Sequence, residues 1–492
     1  MPPLSPIHRL RERLTKGPLK DGSFIRNVLT VIAGTTVSQA IQIASIPILA
    51  RLFSPEHFGA LAAYSATVMI LAVVANLSYQ AAIVLPKRNE SAFIMLICCL
   101  CISLFISSLT GLGLSLMHLQ LADWLENPGL SDWWWLIPFG MLARAWFTAF
   151  TLWNTRQKTF ANTAKGNVTI RLTAAATQLG MTTIYLSGFG LIVGRLSGSV
   201  AGLFYLASRS RLTIHRKYFR HFSLRRAVTL LHRFRRFPQF DLFSGTIATI
   251  SRNLPVILLT YFFSPAVVGF FFVAYRIVAS PLQIGATSVT QVFFQRAVTA
   301  KKSGELPAIT IKVFERLMVI FFTPLALLCI AAPELTLLAL GEEWTQSSVY
   351  LRWLCIWLFF SSFTSPVHRL FAILEKQNEL AMLNALIFTV SVITLSVGGI
   401  RNDPTLAVAL FSCGAAAGWF VQGMRTLAIA GVSVSTYFRL MLTEAVKVVP
   451  FAAAVGLTRY LTSNEIIVTL VFIAAIGVFG LLRAKFILSR KS

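Results

Sequence analysis

Acidic side chains are scarce in this chain: 18 Asp and Glu stand against 44 Lys and Arg in 492 residues, for a net charge of +26. Charge of either sign is itself sparse, at 13% of residues, while 56% are hydrophobic and the mean hydropathy is +0.71. Too little polar surface remains to clothe an ordinary soluble fold, and the placement of the basic residues, considered below, argues for membrane topology and against a nucleic-acid partner. Cysteine is equally poor. Cys98, Cys99, Cys101, Cys329, Cys355 and Cys413 all fall in apolar runs without metal-ligand spacing, so they read as small core residues, with no disulfide framework and no metal. The seven histidines do not cluster and no G-x-x-x-x-G-K-[ST] loop occurs, so no cofactor site and no self-contained ATP hydrolysis is indicated. Large external loops are missing as well. A membrane glycosyltransferase, polymerase or ligase needs catalytic acids or a nucleophile with its base on such a loop, so an enzyme is not expected.

What the chain has is apolar length. Runs of about 20 residues, enough to cross the hydrocarbon core, occur at 27–50, 59–85, 92–119, 133–153, 167–187, 189–208, 239–263, 268–293, 313–333, 347–370, 380–399, 404–430, 441–461 and 466–482. The expected fold is an all-α polytopic membrane protein with about fourteen transmembrane helices; twelve is the alternative count if 189–208 or 441–461 is misread. With the N-terminus placed in the cytosol, most Lys and Arg fall on the cytosolic side. The outer side holds Arg51, Arg401 and Arg459, and carries acids such as Asp123, Glu126, Asp132, Glu342 and Glu343. The positive-inside rule then puts both termini in the cytosol. Residues 1–26 are basic but lack an apolar core and cleavage site of their own, so the first span serves as an uncleaved insertion signal.

Phe53-Ser54-Pro55 with Gly59 recurs 210 residues later as Phe263-Ser264-Pro265 with Gly269. Each copy links two long apolar segments. Under the same offset Gln39 and Gln42 fall on Thr249 and Arg252, which places polar groups at matching depths. The fourth and tenth spans both run into short charged links, at Arg156 and Lys158 and at Glu375 and Lys376. Segments repeated within a bilayer protein are the usual trace of a transporter whose halves rock about a shared site. The longest hydrophilic stretch, 209–238, carries ten Lys or Arg and no acid, and divides the repeats. Within it Leu224, Val228, Leu231 and Phe234 recur at helical spacing among arginines, the pattern of a helix lying on an anionic leaflet; a purely topogenic loop is the alternative. The expected organisation is a basic N-terminus at 1–26, a first lobe at 27–208, a linker at 209–238, a second lobe at 239–430 and a C-terminal helix pair with basic tail at 431–492.

Arg51-Leu-Phe-Ser-Pro-Glu-His-Phe-Gly59 and Tyr79-Gln-Ala-Ala-Ile-Val-Leu-Pro-Lys87 resemble the polysaccharide repeat-unit (O-antigen-type) flippases of the multidrug/oligosaccharidyl-lipid/polysaccharide exporter superfamily. Relatives often carry an acid where this chain has Gln80. The resemblance implies two six-helix lobes forming a V that opens alternately to either side, plus extra C-terminal helices. It implies a substrate, an oligosaccharide joined through pyrophosphate to a polyprenyl lipid, moved across the bacterial inner membrane for lipopolysaccharide or other surface polysaccharide. It also implies a polysaccharide polymerase and a chain-length regulator as partners, besides membrane lipids. A multidrug exporter of the same superfamily is the alternative function.

An arginine at bilayer mid-depth costs about 2.5–3.5 kcal/mol to insert and normally faces a partner or a watery cavity. Arg144, Arg195, Arg252 and Arg276 qualify by depth and are the expected substrate-binding residues. Arg276, Ser280, Gln283, Thr287 and Gln291 share one helical face, as do Asp241, Gly245, Thr249 and Arg252. Gln283 and Gln42 join the expected site as polar lining. Guanidinium groups offer planar, bidentate hydrogen bonds to phosphate oxygens, which suits a pyrophosphate headgroup and disfavours cationic drugs. Asp241 is the candidate for a coupling proton or sodium ion. Arg171, Arg316, Arg352, Arg369 and Arg425 lie nearer span ends and are expected to snorkel; Glu444 is expected to be neutralised by Lys447 three residues on.

Overall fold

The computed structural model describes residues 22–125, 133–184, 187–210, 223–462 and 464–488. These form helices and turns with no strand among the described residues. Among the described residues, fourteen helices of 20 residues or more overlap the fourteen apolar runs. They are α1 (Gly22–Ala50), α2 (Pro55–Ala75), α3 (Asn89–Leu125), α4 (Leu136–Arg156), α5 (Phe160–Met181), α6 (Gly188–Arg209), α7 (Leu242–Phe262), α8 (Pro265–Ser303), α9 (Leu306–Leu340), α10 (Thr345–Thr364), α11 (Gln377–Ile400), α12 (Pro404–Ile429), α13 (Val434–Leu461) and α14 (Glu465–Leu488). Among the described residues, 11 helices are long and apolar enough to cross a membrane; α1, α5 and α10 are the long helices outside that set. Helix α5 carries Asn162, Lys165, Asn167 and Arg171, and of these Asn167 and Arg171 face a polar cavity.

The packing repeats with a period of six helices. Helix α1 packs on α5 as α7 packs on α11; α2 on α4 as α8 on α10; α4 on α6 as α10 on α12; and α5 on α6 as α11 on α12. The links after α4 and α10 are closed by the same turn. Lys158 (φ 57°) and Glu375 (φ 60°) each adopt the left-handed conformation. Thr159 N donates to the Asn154 carbonyl as Lys376 N donates to that of Phe371, at 2.9 and 2.7 Å. The two lobes meet chiefly through α1 and α2 on one side and α7, α8 and α9 on the other. Helices α13 and α14 stand apart from the repeat and pack on α9 through Leu327, Ala331, Val455 and Val468. Glu444 bridges this pair: it accepts from Lys447 at 2.6 Å and from Arg483 of α14 at 3.1 Å. The Lys447 pairing follows the sequence expectation, whereas Arg483, 39 residues away, adds a second cation to it.

The Phe-Ser-Pro motifs start α2 and α8. Proline at the first helical position lacks only an N–H that would be unpaired there, and its φ is already helical. One turn later, Gly59 lies on the backbone carbonyl of Pro265, and Gly269 lies on that of Pro55, so a Cβ at either glycine would overlap backbone. The repeats therefore touch through the same two positions exchanged, at one end of the bundle. Trp344, buried in the link after α9, completes this end. Its indole Nε1 donates to the Ala50 carbonyl at 2.8 Å and its ring meets Phe58 edge-on at 5.1 Å. Arg51 Nη2 donates to the Leu338 carbonyl at 2.6 Å. Lobe is thus tied to lobe by aromatic packing and two hydrogen bonds.

One run is corrected at its end. The sequence suggested a single span over 59–85, but α2 stops at Ala75, Leu77 and Ser78 are left-handed, and Tyr79–Val84 forms a 3-10 turn. Arg156 at the end of α4 holds the chain beyond it, with Nη1 donating to Val84 O at 3.0 Å and Nη2 to Asn89 Oδ1 at 3.0 Å.

Candidate functional site

Midway along α1, α2, α4, α5 and α6 lies a cavity of about 370 Å³. Its wall includes Ser38, Gln39, Tyr64, Ser65, Asn167 and Ser199, together with Arg144, Arg171, Arg195 and Arg276. A smaller extension of about 40 Å³ continues past Gln42 and Gln178 and shares Arg171, Arg195 and Arg276. No Asp or Glu lines either space. Among the described residues no ion pair includes any of these four arginines.

Local sequence explains how the guanidiniums converge. On α6, Gly190, Gly194, Gly198 and Gly202 recur every four residues on one face. A Cβ at Gly198 would overlap the Ile170 carbonyl and one at Gly194 the Gln178 side chain, so α5 and α6 approach closely as small-residue stripes allow. That contact sets Arg171 of α5 beside Arg195 of α6 along a common wall. Arg144 comes from α4, where Gly140 leaves room for the buried Tyr64 ring; the Tyr64 hydroxyl donates to the Leu136 carbonyl at 3.3 Å. Arg276 reaches in from α8 of the other lobe, with its Cζ 4.3 Å from the centre of the Phe272 ring, a cation–π contact that fixes its direction. It is the second lobe's contribution to the lining.

Four intramembrane arginines cost on the order of 10 kcal/mol together to insert. With no carboxylate beside them, the compensation available is water or a bound anion. Gln39, Gln42 and Ser65 also leave buried side-chain oxygens without a protein partner, and amide and hydroxyl groups serve water or sugar hydroxyls equally well. The cavity's lining can accommodate a polar, negatively charged group.

The sequence-derived residues separate into groups. Arg144, Arg195, Arg276 and Gln42 come together around this space. Arg252 does not line it: the residue is exposed, and its Nη2 donates to Thr249 Oγ1 at 3.2 Å, one turn back on α7. Its helical stripe still turns toward the other lobe, since a Cβ at Gly245 would lie 3.6 Å from Val73. Gln283 is exposed further along α8, and the side chains of Thr287 and Gln291 lie outside the described residues. Asp241 is exposed in the π turn Phe237–Asp241, away from the cavity. Arg171, expected to snorkel, instead lines both spaces. The signal for it was present: Asn167, Arg171 and Gln178 are spaced by four and seven, one face of a helix.

Two six-helix bundles related by a repeat are joined at one end, and the first frames a cationic cavity that Arg276 of the second enters. Solved structures share this fold. The lipid II flippase MurJ in its inward closed conformation matches with TM-score 0.71 at 16% identity, over 94% of this chain and 100% of that one. An inward-facing multidrug resistance MATE family transporter of the MOP superfamily matches with TM-score 0.58 at 15% identity, over 82% and 99%. A MOP superfamily transporter from Pyrococcus furiosus matches with TM-score 0.52 at 13% identity, over 84% and 95%. Among curated proteins none matches the chain. The chain belongs to the polysaccharide biosynthesis protein family, whose model matches residues 48–349.

Proposed function

We propose that this protein is a flippase carrying a polyprenyl-pyrophosphate-linked oligosaccharide across the bacterial inner membrane for the synthesis of O-antigen-type lipopolysaccharide or a related surface polysaccharide. The observation that carries the reading is the cavity itself: Arg144, Arg171, Arg195 and Arg276 line it and no acid does. A pyrophosphate diester supplies two adjacent groups of oxygens that guanidiniums bind bidentately, and the cavity volume suits a headgroup with its first sugar rather than a whole glycan. The lipid tail stays in the bilayer throughout. Both termini lie in the cytosol, the Phe-Ser-Pro end faces outward, and the closed outer end corresponds to a state loaded from inside. Rocking of the lobes about that end then releases the headgroup outward.

Export of organic cations fits less well, because a cationic drug entering this space meets four like charges and no carboxylate. The deciding experiment is translocation of a lipid-linked oligosaccharide in proteoliposomes, run beside transport of a cationic dye. Accumulation of the glycan on the far side, lost in Arg195→Ala and Arg276→Ala while membrane insertion is kept, is the expected result. Dye transport with no glycan movement would overturn the reading.

A further inference from the structure

The linker holds a feature that the transport cycle leaves unused. Leu224–Arg233 is a separate helix at the end of the bundle opposite the Phe-Ser-Pro contacts, where α6 ends and α7 begins. One side of it is anchored to the first lobe: Ala227 is buried against Ile94 and Cys98 of α3, Leu230 and Leu231 pack beside them, and Tyr79 donates its hydroxyl to the Leu231 carbonyl at 3.2 Å. The other side is bare. Leu224 and Val228, one turn apart, are 74% and 58% exposed. Arg225, Arg226, Arg233, Arg235 and Arg236 are exposed around them, and no acid lies in the helix or in the chain from it to Phe240. Phe240 and Phe243, where the chain turns into α7, are 67% and 71% exposed.

We propose that this helix and the turn after it are a binding surface for the headgroups of anionic phospholipids. Several observations favour a lipid over a water-borne partner. The helix carrying exposed Leu224 and Val228 is followed directly by the turn with exposed Phe240 and by Phe243 in the first turn of α7, so bare apolar side chains continue from the helix to the start of a span. Five exposed arginines flank that strip, against one exposed acid, Asp241, at the far end of the turn, so positive charge dominates the surface. The anchor on α3 presents the strip without needing the lipid to fold it. Tail contact with Leu224 and Val228 and headgroup contact with the arginines are therefore available to one molecule at once. The turn Phe237–Asp241 also packs against the turn Tyr79–Val84 that follows α2, so lipid held here sits at the joint between the lobes.

The test uses the full chain in nanodiscs of mixed phosphatidylcholine and phosphatidylglycerol, with the lipids that stay bound counted by native mass spectrometry. Preferential retention of phosphatidylglycerol is expected, falling about 100-fold in Arg225→Gln/Arg233→Gln/Arg236→Gln and by a smaller factor in Leu224→Gln/Val228→Gln. A matched variant, Lys87→Gln/Lys158→Gln/Arg439→Gln, removes equal charge from the same end of the bundle and is expected to keep the preference. Undiminished preference in the arginine variant, or an equal loss in the matched one, overturns the proposal. Circular dichroism of each variant confirms that the bundle is intact. Lipid retention is read without any translocation, so the outcome is independent of the flippase reading.

Discussion

Gly59 rests on the backbone carbonyl of Pro265, and the relation returns with the partners exchanged, Gly269 on Pro55. Each contact admits only hydrogen. Gly59→Val and Gly269→Val should each cost about 1–3 kcal/mol against the closed end, a roughly 5- to 150-fold fall in its share. Electron–electron resonance distances between labels at positions 52 and 343, in a cysteine-free background, should shift to longer values by similar amounts in both variants. A shift in one only would mean that the contact does not work as a symmetric pair.

The cavity makes a prediction for Arg171 that departs from its place in the sequence. Arg171→Ala should reduce glycan translocation as strongly as Arg195→Ala, by about 10- to 100-fold if each arginine contributes one charge-assisted contact. Arg252→Ala should matter less, since Arg252 does not line the space. Lysine at 171 should restore part of the rate, because an ammonium keeps the charge but lacks the guanidinium fork. Initial rates in proteoliposomes decide the order.

Trp344 offers a separable test of closure. Trp344→Phe keeps ring packing against Phe58 and loses the bond to Ala50, so it should cost about 1 kcal/mol; Trp344→Ala should cost about 3–5 kcal/mol. The same labelled pair should report a graded opening, wild type least and alanine most. Equal distances in all three would remove Trp344 from the closure.

The C-terminal pair should respond without the transport site. Glu444→Gln leaves Lys447 and Arg483 facing each other uncompensated, so the thermal midpoint in detergent should fall, by the equivalent of about 3 kcal/mol. Replacing all three by leucine should recover most of it. Headgroup binding, measured with inorganic pyrophosphate as probe, should be unchanged in both.

Much of this architecture was legible from apolar length, since a chain that must satisfy its backbone inside lipid has few choices besides helices. The Phe-Ser-Pro repeat was legible too, although its partner was not: nothing in the letters says that Gly59 meets Pro265 rather than lipid. Arg171 was misplaced through a boundary. Reading the fifth span as 167–187 set Arg171 near its start, whereas α5 begins at Phe160 and puts it halfway along. The polar residues that made 160–166 look aqueous belong to the least apolar of these helices, whose Asn167 and Arg171 border the cavity. Arg252 lies midway along α7, but its rotation about that helix is fixed by packing, which spacing alone does not encode. Arg483 lies too far along the chain from Glu444 for any local rule to pair them.

Nearly every side chain that frames the cavity belongs to the first half of the molecule, while the halves meet at the Phe-Ser-Pro end through glycine, proline and main chain, with Trp344 and Arg51 beside them. If the proposed rocking turns on that end, the pivot carries no information about cargo. One duplicate could therefore drift toward a new glycan while the other remained a lever, so that exchange of first halves between related exporters becomes a practical route to changing what is carried without rebuilding how it moves.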